Sequence, residues 1–128
     1  MPIPVLLIED NQMDALVIQE ALKTCGHVFD IRSAADGEAA LALLDGFHPA
    51  LVLLDLNIPK VSGLEVLSEI RKRPRGVEVR VVVVTSSDSE RDFQAAQRLN
   101  VNAYFCKPSN LAEFMNLSEI VRNVLAQP

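Results

Sequence analysis

A chain of 128 residues, 49% hydrophobic and 23% charged, fits one soluble globular domain with a proper core, not a disordered segment. No apolar run approaches the length that crosses a bilayer, and a net charge of −5 argues against direct nucleic-acid binding. Two cysteines, Cys25 and Cys106, make neither a disulfide framework nor a CxxC pair, and the N-terminus carries no signal-like pattern, so a cytoplasmic protein with reduced thiols is expected.

The first element is the run Val5-Leu6-Leu7-Ile8, read as a strand over 4–8 buried on both faces of a parallel sheet and ending in Glu9-Asp10. A helix follows over 12–24. Its wheel buries Val17, Ile18, Ala21 and Leu22 and turns Leu16 outward among Gln19, Glu20 and Lys23. After Gly26 comes a strand over 28–34, where Val28-Phe29-Asp30-Ile31-Arg32 alternates apolar and polar residues, the pattern of a half-exposed edge. Asp36-Gly37 opens a helix over 37–45. Ala50-Leu51-Val52-Leu53-Leu54 is a second fully apolar strand, and Asp55 ends it.

Ser62-Gly63 starts a helix over 63–72, closed by the basic run Arg71-Lys72-Arg73-Pro74-Arg75, whose cations suit the negative end of the helix dipole. A strand over 79–84 contains Val81 to Val84 and leads into Thr85-Ser86. A helix over 89–99, a strand over 103–106 ending at Lys107-Pro108, and a helix over 110–125 capped by Ser109-Asn110 complete the chain. His27 and His48 fall in loops and read as solvated.

Five strands alternating with five helices imply an α/β, (βα)5 doubly wound parallel sheet of the flavodoxin-like kind. Strand order 2-1-3-4-5 puts the alternating second strand at an edge and the ends of strands one and three side by side. Glu9, Asp10 and Asp55 then meet at the rim, where three carboxylates repel one another unless a cation intervenes. Magnesium suits them: a hard ion content with few carboxylates and several waters. Thr85 and Lys107 arrive at the same rim from strands four and five. Lys107 and the metal together would neutralise an incoming phosphoryl group while one carboxylate attacks it. Pro108 fixes the turn and could hold a cis peptide bond that aims Lys107 inward.

The set Glu9-Asp10-Asn11, Asp55-Leu56-Asn57-Ile58-Pro59 followed by Gly63, Thr85-Ser86, and Tyr104 with Lys107-Pro108 resembles the receiver domain of bacterial two-component response regulators across essentially the whole chain. The resemblance implies that Asp55 is the phosphoacceptor, taking a phosphoryl group from the phosphohistidine of a sensor histidine kinase. Asp10, Asp55 and the backbone carbonyl of Asn57 would bind Mg2+, with Glu9 acting through a metal-bound water. Thr85 and Lys107 would bond the attached phosphoryl group, and Tyr104 would turn inward as Thr85 moves. The face made by helix four, strand five and helix five would then be what a partner reads. Asn57 and Ser87 sit where the family tunes the phosphoaspartate lifetime.

The stretches Asp55 to Lys60, Asn100 to Tyr104 and Lys107 to Leu111 are similar to single-domain regulators serving bacterial phytochrome-type kinases. That similarity implies a light- or redox-sensing kinase and admits a homodimer through the helix four to helix five face. One receiver domain over 1–128 without an output domain is expected. Its message would leave by contact with a downstream protein target or phosphotransfer protein, with no nucleic acid or membrane involved. Leu16 is a candidate anchor for the kinase. The chain would be a phosphoacceptor that assists its own phosphorylation and dephosphorylation, not a conventional enzyme.

Three alternatives compete. A haloacid-dehalogenase-like phosphatase needs a second acid two residues after its nucleophile, where this chain has Asn57. A flavin carrier of the same strand order needs an uncharged phosphate loop, which Glu9-Asp10 contradicts. A receiver-like module that binds partners without phosphorylation lacks any need for the complete acidic, hydroxyl and lysine set.

Overall fold

A computed structural model describes residues 1–128. Its strands are β1 Ile3–Ile8, β2 Phe29–Ala34, β3 Leu51–Leu54, β4 Arg80–Thr85 and β5 Ala103–Cys106. Its helices are α1 Gln12–Lys23, α2 Gly37–Leu44, α3 Gly63–Lys72, α4 Glu90–Arg98, α5 Leu111–Phe114 and α6 Leu117–Ala126, and a 3-10 turn spans Gly76–Glu78. All strand pairs are parallel and the order is β2-β1-β3-β4-β5, as the sequence predicts. No helix is long and apolar enough to cross a membrane.

Period-two alternation along the three central strands splits the core into two layers. Leu6, Ile8, Val52, Leu54, Val81 and Val83 face α2, α3 and α4. Val5, Leu7, Leu51, Leu53, Val82 and Val84 face α1, α5 and α6. Every one of these side chains is essentially inaccessible, which at about 2 kcal/mol for each buried aliphatic makes the three strands a rigid platform for whatever stands at their ends.

Helix starts follow from local chemistry. The side chains of Asn11, Asp36, Ser62, Ser89 and Asn110 each accept a backbone N–H three residues on, capping α1, α2, α3, α4 and α5. Gly63 serves a different need: a Cβ there would lie 2.5 Å from the Asp55 carbonyl oxygen and 2.6 Å from Leu56 Cα. Only glycine lets α3 start against the loop that leaves β3.

Two expectations need correction. The last helix is not continuous over 110–125. It tightens at Met115 and Asn116, where Asn116, Ser118 and Glu119 bond carbonyls three residues back, a 3-10 pattern at a weak helix former. The Lys107–Pro108 peptide is trans, as no cis bond occurs in the chain. Lys107 is aimed instead by its own backbone N–H, which donates to the Thr85 carbonyl at 2.8 Å, and by the acids that its ammonium meets.

The basic run after α3 has a structural task that sequence alone does not show. Arg71 donates to four carbonyls, those of Gly76, Val79, Leu99 and Asn100, at 2.6–2.9 Å. It ties the α3–β4 connection to the end of α4, and burial draws its pKa below the ordinary arginine value.

Candidate functional site

β1 and β3 are paired with Ile8 opposite Leu54, so the residues that follow them emerge side by side. The Asp55 N–H donates to the Ile8 carbonyl at 3.0 Å, which holds the phosphoacceptor candidate at the end of the sheet. Carboxylate oxygens of Glu9, Asp10 and Asp55 lie within 4.8 Å of one another. Glu9 and Asp55 are buried and Asp10 is exposed, so the group opens to solvent on one side.

Asp55 is 4% exposed and both of its oxygens are engaged. Oδ1 accepts the Thr85 hydroxyl at 2.8 Å and the Asn57 N–H at 3.0 Å. Oδ2 accepts the Lys107 ammonium at 2.8 Å. Thr85, fully buried at the end of β4, thus reaches the site from one side and Lys107, beyond β5, from another. The structure brings Glu9, Asp10, Asp55, Thr85 and Lys107 together as predicted, with the Asn57 backbone alongside and its side chain exposed.

The electrostatics turn on Lys107, whose side chain is 10% exposed and lies within 2.8 Å of three carboxylates, those of Glu9, Asp14 and Asp55. Burial alone would lower its pKa. Bonds to Asp14, Asp55 and Glu9 outweigh that and raise it above the usual lysine value. Glu9 behaves differently: burial pushes its pKa up to about 7, with the Asp55 charge adding, while Lys107 and the Asn11 amide oppose. Its Oε2 accepts the Asn11 N–H at 3.1 Å. Its Oε1 is 2.7 Å from Lys107 Nζ, the shortest of the three ion pairs at that ammonium.

Hard oxygen donors and a surplus of negative charge, with Glu9, Asp10, Asp14 and Asp55 set against one lysine, fit a divalent cation such as magnesium. A cavity of about 600 Å³ lies at the opposite end of the sheet, among Leu44, Phe47, Pro49, Ile70 and Arg73, and contains none of these groups.

Tyr104 is partly buried. Its hydroxyl donates to the Ser87 carbonyl at 3.2 Å, and its ring meets Phe93 of α4 edge-on at 5.2 Å. Thr85 thus stands against Asp55 and Tyr104 against the loop after β4. Nothing in the sequence singles out Phe93, since an aromatic on a mostly polar helix gives no sign of its partner.

Leu16 is 57% exposed on α1, as expected, and Met13 one turn earlier is 68% exposed. The largest omission is Asp14, which the first-turn position on α1 disguises as an ordinary helix-start acid. Of the two thiols, Cys25 is buried and Cys106 exposed. Both histidines are exposed loop residues, with His27 6.0 Å from the Phe29 ring.

Comparison with known proteins agrees with this geometry. The family model described as "Response regulator receiver domain" matches residues 5–119. Response regulator Rcp1 of Synechocystis sp. is 39% identical over 123 residues, 91% of this chain and 84% of that protein. Among solved structures, the phosphorylated cyanobacterial phytochrome response regulator RcpA superposes with a TM-score of 0.89 at 34% identity, covering 98% of this chain and 96% of its own. The Mn(2+)-bound form of Rcp1 gives 0.86 at 37% identity over 95% of this chain and 93% of its own.

Proposed function

This chain belongs to the response regulator receiver family of two-component systems, and on that premise we propose that Asp55 accepts a phosphoryl group in a Mg2+-dependent reaction. The observation that carries the reading is the buried Asp55 carboxylate, within 2.8 Å of both the Thr85 hydroxyl and the Lys107 ammonium.

A carboxylate oxygen of Asp55 attacks the phosphorus of a kinase phosphohistidine. A P–O bond forms, the P–N bond breaks, and its electron pair returns to the imidazole nitrogen, which takes up a proton. Lys107 carries one of its hydrogens from Asp55 to a phosphoryl oxygen, and the Thr85 hydroxyl turns to another. Glu9, Asp10, Asp55 and the Asn57 carbonyl would hold magnesium, which would supply neutralising charge to the phosphoryl group. The chain is thus a phosphoacceptor that assists its own phosphorylation and dephosphorylation.

The partners follow from this role. A sensor histidine kinase, of the phytochrome type by likeness to Rcp1 and RcpA, meets the α1 face at Leu16, and the encounter takes place in the cytoplasm. The face made by α4, β5 and the broken last helix, α5 and α6, with Phe93 against Tyr104, passes the signal to a downstream target or phosphotransfer protein, or to a second copy. Leu16→Ala is expected to slow transfer from the cognate kinase with the fold intact; an unchanged rate removes Leu16 from the contact. Light scattering over a concentration series tests the homodimer, and a strict monomer in both phosphorylation states rejects it.

The reaction itself is tested with phosphoramidate, a small donor carrying a P–N bond. Borohydride reduction followed by peptide mapping should place the acyl phosphate on Asp55, and a label elsewhere refutes the assignment. One observation favours a second reading, a module working without phosphorylation: Thr85 bonds Asp55 itself and Tyr104 bonds the Ser87 carbonyl with no phosphoryl group present. No acyl phosphate in the folded protein, with unaltered spectra in beryllofluoride, would select it.

A further inference from the structure

Helix α1 brings the site an acid that the three strand ends do not account for. Asp14 stands in the first turn of α1, and its N–H donates to the side chain of the Asn11 cap at 2.9 Å. Its Oδ2 lies 2.8 Å from Lys107 Nζ, with the Asp14 side chain 29% exposed. Lys107 bonds Asp14 and Asp55 at 2.8 Å each, with Glu9 against the same ammonium at 2.7 Å.

These three partners fare differently in the reaction. Asp55 becomes an acyl phosphate. Glu9 belongs with the carboxylates that could hold the metal. Asp14 is outside that group and is not esterified, so it is the partner that Lys107 can keep from start to finish.

We propose that Asp14 is a positioning residue that anchors the Lys107 ammonium over Asp55 through the phosphorylation cycle and so ties helix α1 to the phosphorylation site. The inference rests on Asp55 being the phosphoacceptor. A lysine stem loses considerable rotamer freedom when its head is fixed, and the Asp14 bond offsets that loss. Without it, once Asp55 is esterified, Glu9 is the one carboxylate left to the ammonium, which then competes there with the cation. Asp14 also adds negative charge close to an incoming phosphoryl group. As a field effect alone, that charge slows the reaction. Anchoring and field therefore predict opposite signs.

Asp14→Ala and Asp14→Asn in the full chain decide between them, through initial phosphorylation rates with phosphoramidate and Mg2+. Anchoring predicts a roughly tenfold slower Asp14→Ala, the size of one charge-assisted bond, and a substantial recovery in Asp14→Asn, whose amide oxygen still accepts from Lys107. In a Lys107→Met background the Asp14→Ala effect should vanish, which a merely structural role would not produce. In the metal-free protein, the Lys107 ammonium NMR signal should be lost in Asp14→Ala and retained in Asp14→Asn. Rates at or above wild type in both variants, or an undiminished effect in Lys107→Met, overturn the proposal. A wild-type chain that takes no phosphoryl group defeats the underlying reading and the inference with it.

Discussion

Asp10→Asn is the cleanest perturbation of the site, because Asp10 brings charge without holding anything. It is exposed and takes no part in the Lys107 ion pairs, yet a carboxylate oxygen of Asp10 lies within 4.8 Å of those of Glu9 and Asp55. At that separation a like-charge pair costs about 1 kcal/mol at the dielectric of water and about 3 kcal/mol at an effective value near 20. Lys107 already offsets the two buried acids and solvent reaches Asp10, so the lower figure applies. The variant should therefore be more stable than wild type without metal by about 1 kcal/mol, or about 3–5 °C in Tm for a domain of this size. Magnesium reverses the order. A hundredfold excess over Kd stabilises the wild type by about 2.7 kcal/mol, whereas a site missing one of its carboxylates gains far less. Urea unfolding in chelator and in Mg2+ reads both effects. A variant that is destabilised without metal, or gains as much from Mg2+ as wild type, refutes the account of the acidic group.

Three further outcomes follow from the same structure. Glu9, raised to about 7 by burial, binds its proton more tightly folded than unfolded. Its contribution to metal-free stability is full below about pH 4.5 and is lost as pH rises through about 7, while Mg2+ binds more tightly over the same rise; unfolding in chelator across that range checks the sign, and a contribution that grows with pH contradicts it. Arg71→Met keeps the apolar stem but leaves four carbonyls without their donor, so a loss of about 3 kcal/mol is expected with the phosphorylation rate unchanged. Gly63→Ala forces a Cβ to 2.5 Å from the Asp55 carbonyl oxygen, and calorimetry should show a loss of about 2 kcal/mol together with slower phosphorylation as the β3–α3 loop shifts.

The strands were legible because β1, β3 and β4 are apolar on both faces and β2 alternates as an edge strand does, a pattern that the order β2-β1-β3-β4-β5 satisfies. Glu9, Asp10, Asp55, Thr85 and Lys107 were legible for the same reason, as each follows or ends a strand whose place in the sheet was known. Asp14 and Arg71 were not. Both act through contacts distant in sequence, 93 residues apart for Asp14 and Lys107, and local pattern explains each as a charge suited to its helix end. The break at Met115–Asn116 and the trans Lys107–Pro108 bond depend on tertiary packing that periodicity does not report.

The most direct test of Asp55 as a Mg2+-dependent phosphoacceptor is the intact-protein mass after acetyl phosphate, with and without Mg2+, beside Asp55→Asn. One added phosphoryl group in wild type, absent without Mg2+ and absent in Asp55→Asn, is the predicted result. An adduct that persists in Asp55→Asn or without Mg2+, or none in folded wild type at the shortest times, contradicts it.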